Sequence, residues 1–218
     1  MSFRSETTDA PTLTEAEQRL LLKKTGETRG AEREHMIYSM ALGTGLREHE
    51  LVALRVRDVV QDGQIRSRIH LTIFKGSGKE RPIFGNGKKP PRQVVHLPKS
   101  VRRKLAYYLK WKKRAGEGLG ADAWLFVVAK ASARSESGEG LSPRTLRHHF
   151  RRWQILLRFA EPYGFHALRH TALSNLYRAT KDLRAVQKQA RHANINTTEI
   201  YTHLTGDEIA RAVENLPC

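Results

Sequence analysis

The chain has 218 residues, 39% of them apolar, with 39 Lys and Arg against 22 Asp and Glu, a formal net charge of +17. That length fills one substantial core or a domain with a small appendage, and a cationic surplus of this size repels itself in a compact fold unless a polyanion is the working partner. No apolar run approaches the ~20 residues that span a bilayer, the N-terminal MSFRSETTDAPTLTEAEQ lacks the apolar centre of a signal peptide, and the single cysteine, Cys218, excludes an internal disulfide and a cysteine-based zinc cluster. A nucleic acid is the expected partner, ahead of an anionic membrane surface, and the expected place is the cytoplasm.

Residues 1–12 read as a loose polar tail carrying Pro11. Thr14 with Glu17 has the spacing of a capping box that opens a helix containing Leu20, Leu21 and Leu22. A second helix holds Met36, Ile37, Met40 and Ala41 and ends at Gly43-Thr44-Gly45; a third carries Leu46, Leu51, Val52 and Leu54. Ile65, Ser67, Ile69, Leu71 and Ile73 then alternate with polar residues, the period-two pattern of a half-buried strand. Lys75-Gly76-Ser77-Gly78-Lys79 reads as a turn, Arg81 to Phe84 as a returning strand, and Val94, Val95 and Leu97 as a third strand beyond a Gly/Pro-rich turn. The expected architecture is therefore mainly α with one small three-stranded antiparallel sheet, an α+β class.

Helices return from Val101, where Leu105, Tyr108, Leu109 and Trp111 form an apolar face. Residues 130–140 read as a polar loop. Further helical segments are expected at 142–158, 166–179, 182–191 and 197–204, and a last one near 206–215.

The chemistry-bearing residues recur in a definite order. Arg47 follows a Gly-flanked turn in TGLREHEL, Lys75 sits where the long strand meets its turn, His166 and Arg169 share one helical face, and Tyr201 lies nine residues after His192. These types match what breaking a DNA strand without a metal demands. A tyrosine can form and release a phosphodiester. Two arginine forks match a phosphate that gains charge in the transition state. A lysine or histidine can protonate the departing sugar oxygen. Singly, each has an ordinary explanation: a surface His–Arg pair, a capping histidine, a half-buried packing tyrosine. Arg47 at a helix start is less easily explained, because a cation there opposes the helix dipole.

The order and spacings resemble the tyrosine recombinase (phage integrase) family, from about Leu13 to Leu204. TGLREHEL is similar to its first arginine box, HALRH at 166–170 to its His-x-x-Arg box, and RHANINTTEIYTHL at 191–204 to its closing segment. The resemblance implies the fold of that family's catalytic domain over residues 13–205, and a site-specific recombinase or integrase. It implies that Arg47 and Arg169 hold the non-bridging phosphate oxygens. His166 and His192 would donate hydrogen bonds to the same phosphate, with His166 also a candidate acceptor of the Tyr201 proton. Lys75 would protonate the leaving 5′ oxygen, with Lys79 and Lys88 as rivals in a longer than usual hairpin, and Tyr201 would become joined to the 3′ phosphate. Glu50 is expected to orient Arg47. No metal and no cofactor is expected, since the arginines supply the charge, and a metal site built from His148, His149 and His170 is disfavoured because neighbouring helical histidines point to different faces.

The resemblance also implies double-stranded DNA as partner, a homo-oligomer that is a tetramer on DNA with a monomer possible in solution, and scope for accessory proteins. Lys79 and the basic run RHHFRRWQ, through Arg147, His148, Arg151 and Arg152, are candidate DNA contacts. Residues 206–218 would be a helical tail able to pack on a neighbouring subunit. Two departures stand out. The catalytic region begins almost at Met1, so the family's N-terminal core-binding domain is expected to be absent, and Arg191 stands where a glycine commonly precedes the histidine. The rival readings are a topoisomerase IB-like or telomere-resolving strand transferase and a non-catalytic DNA-binding protein of the same fold.

Overall fold

The computed structural model describes residues 11–71, 93–128 and 139–192, together with Thr198. Helix α1 spans Glu15–Glu27 and opens on the expected capping box: the Glu17 N–H donates to Thr14 Oγ1 at 3.2 Å, and the Thr14 N–H donates to Glu17 Oε2 at 2.8 Å. Helix α2, Glu32–Thr44, is buried over most of its girth, from Arg33 through the unbroken run Met36 to Ala41. A helix hydrophobic on all sides belongs in the centre of a fold, and α1, α5 (Lys99–Arg114) and α7 (His166–Thr180) all pack on it.

Gly45 stops α2. Its φ of +67° places it in the left-handed region, its N–H closes on the Ala41 carbonyl, and a Cβ there would stand 3.2 Å from Leu173 Cδ2 on α7. The chain therefore leaves α2 sharply and starts α3, Glu48–Val52, three residues later. The third helix is shorter than its apolar spacing predicts. Leu46 and Leu54 are buried as expected but lie outside it, and Leu54 precedes a separate short helix α4, Val56–Val59.

The expected three-stranded sheet is replaced, among the described residues, by two two-stranded antiparallel sheets. β1 (Val60–Gln61) and β2 (Gln64–Ile65) form a hairpin across Asp62-Gly63, both with positive φ, the geometry an Asp-Gly pair favours. β3 (Arg68–Leu71) pairs with β4 (Gln93–His96), Ile69 opposite Val95. The strand read as continuous from Ile65 breaks because the Arg66 N–H is drawn to the Val59 carbonyl, committing Ile65 to the hairpin before Arg68 begins the second sheet. The returning strand expected at Arg81 to Phe84 lies outside the described residues, as do the segments expected at 197–204 (Thr198 apart) and 206–215.

α5 buries Val101, Leu105 and Tyr108 along one stripe, and Trp111 stacks on Tyr108 at 5.4 Å. The stripe ends on Lys112, whose 0% exposure was not legible from its type; its ammonium reaches Glu117 at 2.9 Å, and Arg33 of α2 pairs with the same carboxylate. α6, Pro143–Leu156, starts on Ser142, which accepts the Thr145 N–H, with Pro143 in the first turn. α8, Leu183–Ala190, starts on Asp182, which accepts the N–H groups of Arg184 and Ala185, and packs on α7 and β4. No helix among the described residues is long and apolar enough to cross a membrane.

Candidate active site

Three chain segments meet at the C-terminal end of α2. The first carries Arg47, the cap residue of α3. Its backbone N–H donates to Glu50 Oε2 at 2.6 Å and its Nη1 to Glu50 Oε1 at 3.0 Å, so the cation that opposes the helix dipole is answered by a carboxylate one turn on. Glu50 is 2% exposed and also accepts from Nη2 of Arg191, which arrives from the end of α8. Burial pushes the Glu50 carboxyl up, but the Arg191 charge, the Arg47 N–H and the Arg47 and Arg169 charges outweigh it and hold the group below the usual carboxylate range. One ionised carboxylate thus sits between two guanidinium groups.

The second and third segments meet at Arg169. It is buried at 2% exposure on α7, donates from Nη1 to the Gly45 carbonyl and from Nη2 to the Ala190 carbonyl at 2.7 Å, and holds Nε2 of His192 at 3.1 Å. The fork thereby ties the end of α2 to the end of α8 through the start of α7. Arginine only donates, so His192 Nε2 accepts. In the neutral ring the proton then lies on Nδ1, which donates to Thr198 Oγ1 at 3.0 Å. Burial, then the Arg169, Arg47 and Arg191 charges and His170, depress His192 to about 4. His166 begins α7 at an exposed position, and its ring meets that of His170 edge-on at 4.8 Å. His170 is likewise depressed to about 4, by burial first and then by His166 and Arg169.

These shifts predict a pH dependence. A histidine whose folded pKa lies below its ordinary value near 6.5 binds more protons unfolded than folded, so stability falls as pH drops from about 6.5 towards 4. His35, depressed to about 4 by burial and by Lys104, and Glu50, depressed as above, act in the same direction. Thermal melts are expected to show a melting temperature level above neutrality and falling steadily across that acid window. A melting temperature constant between pH 7 and 4.5 contradicts the assignment.

Of the expected site residues, Arg47, Arg169 and His192 are brought together and His166 lies on the same helix start. Lys75, Lys79, Lys88 and Tyr201 lie outside the described residues. The α6 candidates Arg147, His148, Arg151 and Arg152 are all exposed, and Arg147 Nε reaches Glu48 Oε1, beside Arg47, at 3.3 Å. His149 pairs with Glu34 at 2.8 Å and its ring lies edge-on to that of His148 at 6.2 Å, and no group of three metal-binding side chains occurs among the described residues. Two participants were not found from sequence. Arg191 carries no local signal for a partner 141 residues away. Gln189 donates to the Thr44 carbonyl at 3.0 Å and accepts the His96 N–H at 3.2 Å, fastening β4 to α8.

Known proteins resemble the chain over most of its length. The model of the phage integrase family matches residues 11–208. The tyrosine recombinase XerC of Neisseria meningitidis serogroup B is 30% identical over 181 residues, covering 83% of this chain and 51% of that protein, so the chain spans about half the length of this relative. The crystal structure of XerA recombinase superposes with a TM-score of 0.70 at 23% identity, over 97% of this chain and 66% of that one. XerH recombinase bound to palindromic difH substrate, a post-cleavage complex, gives 0.69 at 19% identity, over 98% and 55%. With arginine and histidine boxes in order and the family model matched by residues 11–208 of the 218, the chain belongs to the phage integrase family.

Proposed function

We propose that this chain is the catalytic part of a site-specific DNA recombinase that cuts and rejoins strands through a covalent 3′-phosphotyrosine. The observation that carries the reading is the cationic cluster in which Arg47, Arg169 and His192, the first of them far from the other two in sequence, surround one point of the fold. A phosphodiester there would take its non-bridging oxygens onto the Arg47 and Arg169 forks, where its growing transition-state charge is met by groups already in place. His166 and His192 donate to the same phosphate; an anion at that point offsets the surrounding cations and raises the His192 pKa, supplying the Nε2 proton that the DNA-free ring lacks.

The reaction itself is a transesterification. The Tyr201 phenolic oxygen attacks phosphorus, His166 takes its proton, the P–O5′ bond breaks, and Lys75 (or Lys79 or Lys88 of the same segment) protonates the departing 5′ oxygen. A 5′ hydroxyl from a partner strand reverses the step, so the bond energy is conserved and no ATP is consumed. The Arg147, His148, Arg151 and Arg152 face of α6, with Lys79, follows the duplex backbone. The XerC relative's name, the XerH complex with its palindromic difH substrate and the Tn1549 transposon integrase in complex with transposon right end DNA support double-stranded DNA as partner, and strand exchange between two duplexes calls for a homo-oligomer, a tetramer on DNA. A cytoplasmic, nucleoid-associated location follows from that partner.

The test is a nicked suicide duplex that, on cleavage, loses the short fragment bearing the new 5′ hydroxyl and so cannot be resealed. Nicked duplexes of randomised sequence serve as the first substrate, and DNA trapped on the protein is sequenced to recover the site. The wild type is expected to give an adduct on a denaturing gel and Tyr201→Phe none. Selective DNA binding with no adduct from either would favour the non-catalytic reading.

A further inference from the structure

Arg191 occupies a backbone position that ordinarily falls to glycine. Its φ of +58° lies in the left-handed region, where a side chain is strained. There it caps α8, its N–H closing on the Lys188 carbonyl and the next N–H, that of His192, on the Gln187 carbonyl, both at 3.2 Å. The strain is retained although the side chain is almost fully buried, 3% exposed. Both terminal nitrogens of that side chain are engaged, while Nε is buried without a hydrogen-bond partner among the described residues: Nη2 donates to Glu50 Oε2, and Nη1 donates to the Gln189 carbonyl at 2.9 Å.

Glu50 is the shared element. Its Oε1 holds Arg47 Nη1, while its Oε2 is divided between the Arg47 N–H and Arg191. With Arg191 present, Glu50 grips the Arg47 side chain through one nitrogen. Without it, the carboxylate would be free to take Arg47 in a two-pronged pair, the geometry arginine favours, and so withdraw from a phosphate the fork meant to receive it.

We infer that Arg191 is a positioning residue of the active site, which fixes the turn presenting His192 and holds Glu50 so that the Arg47 fork stays available to the phosphate. The inference rests on the strand-transfer reading given above. Arg191 itself does not touch the substrate: its guanidinium is turned inwards onto Glu50 and Gln189, and its effect on the reaction passes through Arg47 and His192. The fork matters for this, since its two nitrogens meet Glu50 and the Gln189 carbonyl from fixed positions, a geometry that a point-like ammonium does not reproduce.

The test uses the full chain and one suicide duplex recovered by adduct trapping from nicked duplexes of randomised sequence. Arg191→Gly, which suits the left-handed turn, is expected to bind that duplex as the wild type does and to form adduct about 100-fold more slowly at saturating protein. Glu50→Gln combined with Arg191→Gly is expected to be no slower than Arg191→Gly alone, because both act on the same Arg47 fork. An adduct rate equal to the wild type in Arg191→Gly, or a loss borne wholly by DNA affinity, overturns the assignment. Should Arg191→Gly fail to fold, Arg191→Lys, which keeps the charge against Glu50, decides: slow adduct formation at unchanged affinity is expected, and a wild-type rate overturns it. A wild type that forms no adduct on any duplex overturns the strand-transfer reading and this inference with it, and is told apart by the missing wild-type signal.

Discussion

Replacing Arg169 with alanine is expected to slow adduct formation about 1000-fold, the loss typical when a preformed donor to a developing oxyanion is removed, and to lower the melting temperature of the free protein as well. Both effects come from one side chain. It supplies a fork to the phosphate in the proposed mechanism, and in the free protein that fork is already spent on the Gly45 and Ala190 carbonyls and on His192. A buried acceptor left without its donor costs about 1–3 kcal/mol, and here two carbonyls lose theirs together. Relief of repulsion among Arg169, Arg47 and Arg191 works the other way, but Arg47 and Arg191 are already neutralised in part by Glu50, so the lost hydrogen bonds dominate. Arg169→Lys separates charge from geometry. It keeps the cation but cannot reach carbonyls on two different elements at once, so it is expected to recover little of the rate. Single-turnover adduct formation and a thermal melt, made on the same preparations, check both statements; a lysine variant that cleaves like the wild type would show that charge alone suffices.

The second large effect lies far from the site. Glu117→Ala strands two cations, Lys112 at 0% exposure and Arg33 at 9%, and breaking a buried pair by removing one partner costs about 3–5 kcal/mol. For a chain of this size that corresponds to a fall in melting temperature of about 10 °C. The two cations are not equivalent. Burial depresses the Lys112 pKa, with Glu117 working against it, so losing the carboxylate drives the ammonium towards its neutral form. Arginine as a residue type keeps its charge in proteins, and the Arg33 guanidinium also lies over the Trp111 ring at 5.4 Å. Lys112→Met is therefore expected to be much milder than Glu117→Ala, since Glu117 keeps Arg33 and the methionine fills the same stripe of α5. Equal losses from the two variants would mean that packing, and not charge, sets the stability there.

What could be read from the sequence and what could not divide along a physical line. The Thr14–Glu17 capping box, the stop at Gly45 and the His166–Arg169 spacing are local, and each is found where the sequence places it. The hairpin at Asp62-Gly63 was also local, but the longer alternation from Ile65 to Ile73 concealed it, because a period-two pattern records which face is buried and not where pairing changes partner. Lys112 falls on the apolar stripe of α5 by spacing, yet its type argues for exposure; only Glu117, five residues on, and Arg33, on another helix, make its burial tolerable. Arg191 has the same character. As a letter in the sequence it reads as the loss of a glycine, whereas in the fold it is half of a buried pair with Glu50.

That pair also dates the site in the life of the chain. Glu50 and Arg191 are 141 residues apart, and Arg169 is 124 residues from the carbonyl it grips at Gly45. Contacts this distant must overcome a large loop-closure entropy before they repay it, and they form after local helices. During synthesis Arg47 and Glu50 leave the ribosome long before α7 and α8 exist to meet them. The charged cluster is completed only when α8 docks, and it dissolves as soon as α8 lets go. On the strand-transfer reading proposed above, a centre assembled in this way would have no active partial form: an unfinished or half-unfolded chain would carry the positive charge that DNA attracts, but not the arrangement that breaks it.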